Sequence, residues 1–109
     1  MQMHQIRYFL ALCEEHSFTL AARRSGVSQP SLTNAIGALE RELGGTLFQR
    51  RPAIALTALG RAIQPYLQQI AQAADQARDA AQALADVETA MSEVPPLQEG
   101  AGTPQCSSS

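Results

Sequence analysis

Every cation in this 109-residue chain is an arginine: there are eight Arg and no Lys. A guanidinium is a planar fork of donors, suited to two-pronged contact with phosphate or guanine. The overall net charge of −2 hides how these forks are placed. Residues 1–61 hold seven Arg against four acids, and residues 62–109 hold one Arg against six. That asymmetry is expected if only the front half meets polyanions. Other chemistry finds little support. Cys13 and His16 form a C-x-x-H pair with His4 nearby, but a closed metal site needs about four ligands, and no second pair exists. Cys13 also falls on an apolar helix face, so a structural role is expected and no metal. Gly44-Gly45 has no following Lys, and Ser, His and acidic residues follow no nucleophile motif. Glu40 and Glu42 are expected to pair with arginines. No catalytic residues and no cofactor are expected, and the chain is not expected to be an enzyme.

The stretch that would present polar groups runs from Ser28 to Gly44. Ser28 is a good N-cap, because its hydroxyl can accept from an N–H one turn on. Pro30 falls in the first turn, where a missing N–H costs nothing. Gly44 and Gly45 can adopt the left-handed backbone that ends a helix. At about 100° per residue, Leu32, Ala35, Ile36, Leu39 and Leu43 share one face. Pro30, Asn34, Gly37 and Arg41 lie opposite, flanked by Thr33 and Ala38, with Ser28, Gln29 and Ser31 at the N-terminal end. An apolar back and a low-relief polar front with one cation suit a groove. An ordinary amphipathic surface helix fits equally well until the flanking elements are added.

Those elements narrow the choice. Met3 to Glu15 has Ile6, Phe9, Leu10 and Cys13 at i, i+3, i+4, i+7, which predicts a helix with one buried face. Ser17 caps a second, shorter helix with Phe18, Ala21 and Ala22 inward, and Ser25-Gly26-Val27 makes a tight turn. Residues 17–43 therefore spell helix, Gly-containing turn, helix, with small residues where the pair must approach closely. This is the helix-turn-helix arrangement, whose second helix enters the major groove of DNA. Thr46–Arg50 and Ala53–Leu56 read as short strands around an Arg51-Pro52 turn. Such a hairpin is a wing, and it places Arg50 and Arg51 where they could reach backbone or minor groove.

Thr57 caps a last helix, 58–91, rich in Ala and Gln. Leu59, Ile63, Tyr66, Ile70, Ala73, Ala77, Ala80, Leu84, Val87 and Met91 alternate spacings of four and three, a sustained heptad seam. Roughly 34 residues at 1.5 Å each span ~50 Å, more than a small domain can cover. The seam asks for a partner, most simply a second copy. Pro65 should bend this helix near its second turn. Residues 92–109 carry three Pro before Gln105, two Gly and three terminal Ser, and are expected to be a disordered tail. Two unlike cysteines, Cys13 and Cys106, imply no disulfide framework and a reducing, cytoplasmic setting. No apolar run of membrane-spanning length and no secretory signal occurs.

Several runs carry a resemblance. Gln5-Ile6-Arg7-Tyr8-Phe9, Glu14-Glu15-His16-Ser17-Phe18-Thr19, Val27-Ser28-Gln29-Pro30-Ser31-Leu32-Thr33, Leu39-Glu40-Arg41-Glu42-Leu43-Gly44, Leu47-Phe48-Gln49-Arg50 and Leu56-Thr57-Ala58-Leu59-Gly60 closely resemble the N-terminal DNA-binding domain of LysR-type transcriptional regulators of bacteria. The match covers about residues 3–70 in order and spacing. The resemblance implies a winged helix-turn-helix followed by a linker helix that packs antiparallel in a dimer. It implies base contacts from Gln29 and Pro30, a phosphate contact from Ser28, a retained hydroxyl at Thr33, and a kept Arg50 before the wing. It also marks departures. Asn34 stands where the family usually has Arg. Gly37 and Ala38 stand where it is often basic, Leu20 where it is often polar, and the wing is about one residue short. Weaker or more base-dependent binding is therefore expected. Family members carry a periplasmic-binding-protein-like effector domain after the linker helix. Nothing after Met91 supplies one, so the chain is expected to be a DNA-binding fragment or a regulator that senses no ligand.

The expectation is mainly α: a winged helix-turn-helix of three helices and a β-hairpin (1–57), a dimerisation helix (58–91) and a tail (92–109). The expected function is sequence-specific binding of double-stranded DNA with an interrupted dyad, as a homodimer regulating transcription. Higher oligomers would need an effector domain, and no membrane is involved. The alternative is an interaction protein that heterodimerises with full-length relatives and modulates them.

Overall fold

A computed structural model describes residues 1–92. Helices α1 (Met3–Glu15), α2 (Phe18–Ser25) and α3 (Gln29–Leu43) come first. Strands β1 (Phe48–Gln49) and β2 (Ala55–Leu56) and the long helix α4 (Ala58–Ser92) follow. This is the mainly α, winged helix-turn-helix order that the sequence predicts.

Local chemistry sets the helix ends. Ser17 Oγ accepts from Leu20 N–H at 3.1 Å and starts α2. Ser28 Oγ accepts from Ser31 N–H at 3.2 Å and starts α3. Gly26 (φ 73°) and Gly44 (φ 87°) end the two helices in the left-handed conformation. His16 does the same for α1, with φ 54°; histidine is among the side chains that tolerate this region. His16 N–H also donates to Leu12 C=O at 3.0 Å, so this residue closes the last turn of α1.

Met1–Ala74 forms one compact unit. Within it α1 packs on α2 and α3, and α2 packs on α3. Phe9, Leu12, Leu32, Ile36, Leu39 and Leu47 are fully buried; each large apolar side chain so covered contributes roughly 1.5–3 kcal/mol. The buried arc of α1 is wider than a single stripe. Leu10 and Cys13, expected inward, are half-buried, while Ala11 and Leu12 are buried. The cause is that α1 is covered by two helices at once.

The paired part of the wing is shorter than the sequence suggests, with only Phe48 opposite Leu56 and Gln49 opposite Ala55. The residues before β1 are satisfied off the ladder. Leu47 N–H donates to Glu40 Oε2 at 2.8 Å, and Leu47 C=O accepts from Thr57 N–H at 2.9 Å. The Arg51-Pro52 peptide at the tip is cis.

Packing continues past residue 57, the edge expected from sequence. Leu67 and Ala71 of α4 are buried in the same core, and Leu59 and Ile63 pack against it half-buried. Gly60 permits this approach: a Cβ there would collide with the Leu47 carbonyl oxygen and stand 2.8 Å from Leu56 Cδ2. Thr57 caps α4 as expected, its Oγ1 accepting from Gly60 N–H at 3.0 Å and donating to Thr46 C=O at 2.6 Å.

The second unit begins at Asp75. Its described part is the remainder of α4, in which every side chain from 75 to 91 is exposed. The expected tail lies outside the described residues, apart from Ser92, which is helical.

Candidate nucleic-acid interface

The outer face of α3 is polar, as predicted. Ser28, Gln29, Pro30, Ser31, Asn34 and Arg41 are exposed and Thr33 is half-buried. Leu32, Ala35, Ile36 and Leu39 are buried beneath them. The two serines at the helix start are not equivalent. Ser28 Oγ caps the helix and also donates to Ser31 Oγ at 2.9 Å. Ser31 therefore keeps the hydroxyl proton that points onward. Unpaired N–H groups and the positive end of the helix dipole favour an anion at this end.

Gln29, the first residue of α3, is tied to α2. The Thr19 hydroxyl donates to Gln29 Oε1 at 3.0 Å. The neighbouring Phe18 seats Arg50 of the wing, whose guanidinium carbon lies 4.5 Å from the ring centroid, a cation–π contact. The start of α2 thus positions side chains from both α3 and the wing. Neither contact was legible in the sequence, because residues 10 and 32 apart leave no periodic or capping signature. Arg51 is exposed beside the tip proline. Arg41 folds back along α3, its Nη1 lying 3.6 Å from where a Cβ on Gly37 would stand.

The remaining charges are mostly structural. Arg24 pairs with Glu14 and with Glu15, the latter at 3.2 Å, joining α2 to α1. The hydrogen bonds it donates to these two carboxylates hold its pKa above the ordinary arginine value. Arg61 donates to Leu56 C=O at 3.0 Å. Glu40 and Glu42, expected to pair with arginines, have other partners. Glu40 reaches past the Gly44-Gly45 turn to Leu47 N–H, and Glu42 pairs with the N-terminal amine at 2.8 Å. Cys13 is half-buried, and burial first, then the charge of Glu14, pushes its thiol up to about 11.

The heptad seam of α4 divides. Leu59 and Ile63 cover the core of their own chain. Tyr66, Ile70, Leu84, Val87 and Met91 are exposed, as are Ala73, Ala77 and Ala80 between them. The seam reading missed Leu67 and Ala71, because spacing reveals a stripe but not a second stripe beside it that faces inward. Among the described residues no helix is long and apolar enough to cross a membrane.

The family profile described as "Bacterial regulatory helix-turn-helix protein, lysR family" matches residues 3–61. The chain belongs to the LysR family. The transcriptional regulator IlvR of Caulobacter vibrioides is 41% identical over 90 residues, covering 82% of this chain and 30% of IlvR. The regulator ClcR of Pseudomonas putida is 48% identical over 61 residues, covering 55% of this chain and 21% of ClcR. The chain thus spans less than a third of the length of either relative. Among solved structures, the DNA-binding domain of BenM in complex with catB site 1 DNA has a TM-score of 0.73 at 34% identity, covering 78% of this chain and 97% of that one. The complex of the CbnR DNA-binding domain with DNA has a TM-score of 0.70 at 37% identity, covering 78% and 99%. Of the departures noted above, Asn34, Gly37 and Ala38 lie on α3: Asn34 is exposed, and Gly37 lies under the Arg41 guanidinium.

Proposed function

We propose that this LysR-family chain binds double-stranded DNA sequence-specifically as a homodimer and regulates transcription in the bacterial cytoplasm. The observation that carries the reading is the exposed, polar N-terminal half of α3 over a fully buried back. Relatives named as transcriptional regulators, and the BenM and CbnR complexes with DNA, support it. In this reading α3 enters the major groove. Gln29, Pro30 and Thr33 face base edges, and Ser28, Ser31 and Asn34 lie beside them toward the phosphates. Arg41 holds the backbone from the far end of the helix, and Arg50 and Arg51 reach backbone or minor groove from the wing. The exposed stripe of Tyr66, Ile70, Ala73, Ala77, Ala80, Leu84 and Val87 pairs with its copy in a second chain, while Leu59 and Ile63 border it. Two α3 helices then meet half-sites about 34 Å, or a multiple, apart. No observation favours a role limited to pairing with longer relatives.

Selection of bound DNA from a random pool tests this. The expected product is an interrupted dyad; a pool that yields no enriched sequence overturns the reading. With neutral residues at 34, 37 and 38, the hold on phosphates should be light. Each phosphate contact contributes roughly 0.9 to the slope of log affinity against log salt. A slope fitting six or more contacts per protomer would overturn the light-hold part.

A further inference from the structure

The contact between Thr19 and Gln29 joins two exposed side chains, so water competes for it and it adds little to holding the domain together. Yet each end is fixed. Ser17 caps α2 two residues before Thr19, and buried Phe18 anchors the residue between them. Ser28 caps α3 one residue before Gln29. Threonine is β-branched and confined to two χ1 rotamers in a helix, so its hydroxyl can reach Gln29 from few directions. We propose that Thr19 is a positioning residue for base recognition. It turns the Gln29 oxygen back toward the protein and leaves the Nε2 hydrogens to face DNA. The inference rests on the DNA-binding reading above and deepens it by naming the base edge that Gln29 reads.

The chemistry follows from the two halves of a carboxamide. A free glutamine matches adenine best, accepting from N6 while donating to N7. Here one of the two lone pairs of the accepting oxygen is taken by Thr19 at 3.0 Å. With that oxygen held toward Thr19, the two N–H donors are the groups left to face outward. The major-groove edge that offers acceptors and no donor to a purine reader is guanine, through N7 and O6. Gln29 should therefore favour guanine over adenine at the base it meets. Docking excludes water and so strengthens the Thr19 bond where it is needed. The preset rotamer also lowers the ordering cost of binding.

The test compares 109-residue chains on a pool of half-site variants. Gln29→Ala identifies the base pair that Gln29 reads, as the position where discrimination collapses. At that position the unaltered chain should prefer guanine. Thr19→Val, which keeps the shape and loses the hydroxyl, should cut the preference for guanine over adenine by roughly three- to tenfold. Thr19→Ser should retain it. Adding Thr19→Val to Gln29→Ala should change nothing further there. Four results overturn the proposal: a preference for adenine in the unaltered chain, an unchanged profile in Thr19→Val, a further change at that position in the double variant, or a uniform loss of affinity on all sequences, which marks Thr19 as a phosphate contact only. A chain that selects no sequence at all fails the DNA-binding reading itself, which is a distinguishable outcome.

Discussion

Leu32, Ile36 and Leu39 of α3 are fully buried within their own chain, whereas Leu84 and Val87 of α4 are 59% and 54% exposed. Both helices carry an apolar stripe of helical period. For α3, the covering surface is α1 and α2. For α4 it changes along the helix: Leu67 and Ala71 lie in the core, and from Asp75 to Met91 no side chain is covered by the described residues. Periodicity therefore says that a face suits burial. It does not say whether the chain itself or a second copy does the covering. The polar face of α3 can be rigid because its back is internal. In the proposed dimer, the exposed half of α4 would find its cover on a second copy.

The most severe way to break this comparison is to charge the exposed stripe. Leu84→Glu with Val87→Glu should convert a dimer to a monomer in sedimentation experiments. Affinity for a dyad should fall about 100-fold or more, because two linked half-site contacts become independent. The core methyl resonances of the Met1–Ala74 unit should stay dispersed. A double variant that remains dimeric would place the partner surface elsewhere.

Within α3 the converse holds. Ile36→Ala should cost about 2–5 kcal/mol in urea unfolding, because it opens a void in a fully buried layer. A cost below about 1 kcal/mol would mean that the layer relaxes freely and α3 is no firmer than α4. A smaller effect tests how α3 grips the wing. Glu40→Ala leaves Leu47 N–H without its carboxylate partner, at about 1–3 kcal/mol. Glu40→Gln keeps an acceptor and should lose less. Equal losses would instead point to charge pairing, as the sequence had suggested.

The contrast also shows what could be read in advance. Ser17, Ser28 and Thr57 as caps, and Gly26 and Gly44 as helix ends, act within a turn of their position, so residue type and spacing reveal them. The polar face of α3 follows from the same local period. Thr19 with Gln29, Phe18 with Arg50 and Glu40 with Leu47 are tertiary meetings. Nothing in the intervening residues encodes them until the helices pack. Gly60 belongs with these, since its need for a missing Cβ arises from the Leu47 carbonyl. The two-stripe character of α4 stayed hidden because Ala is common throughout it and marks neither stripe.

Cys13 offers the finest probe of where α4 changes character. It lies on α1, and Gln64 of α4 hydrogen-bonds to it. Burial and Glu14 raise its pKa to about 11, with that hydrogen bond pulling weakly the other way. Only the thiolate reacts with alkylating agents, and an unfolded cysteine ionises near ~8.5. At pH 8 the folded thiol should therefore react about 200-fold more slowly than a free peptide thiol, measured in a Cys106→Ser background to leave one thiol. The same shift fixes a pH dependence. The folded chain keeps the proton to higher pH than the unfolded chain, so this contribution to stability is complete below ~8.5. It is lost as pH climbs toward about 11, and Cys13→Ala should remove that decline. The decisive measurement adds the charged pair Leu84→Glu and Val87→Glu. If residues 58–74 belong to the core, Cys13 stays slow in the monomer. If the whole of α4 depends on a partner, its protection disappears with the dimer.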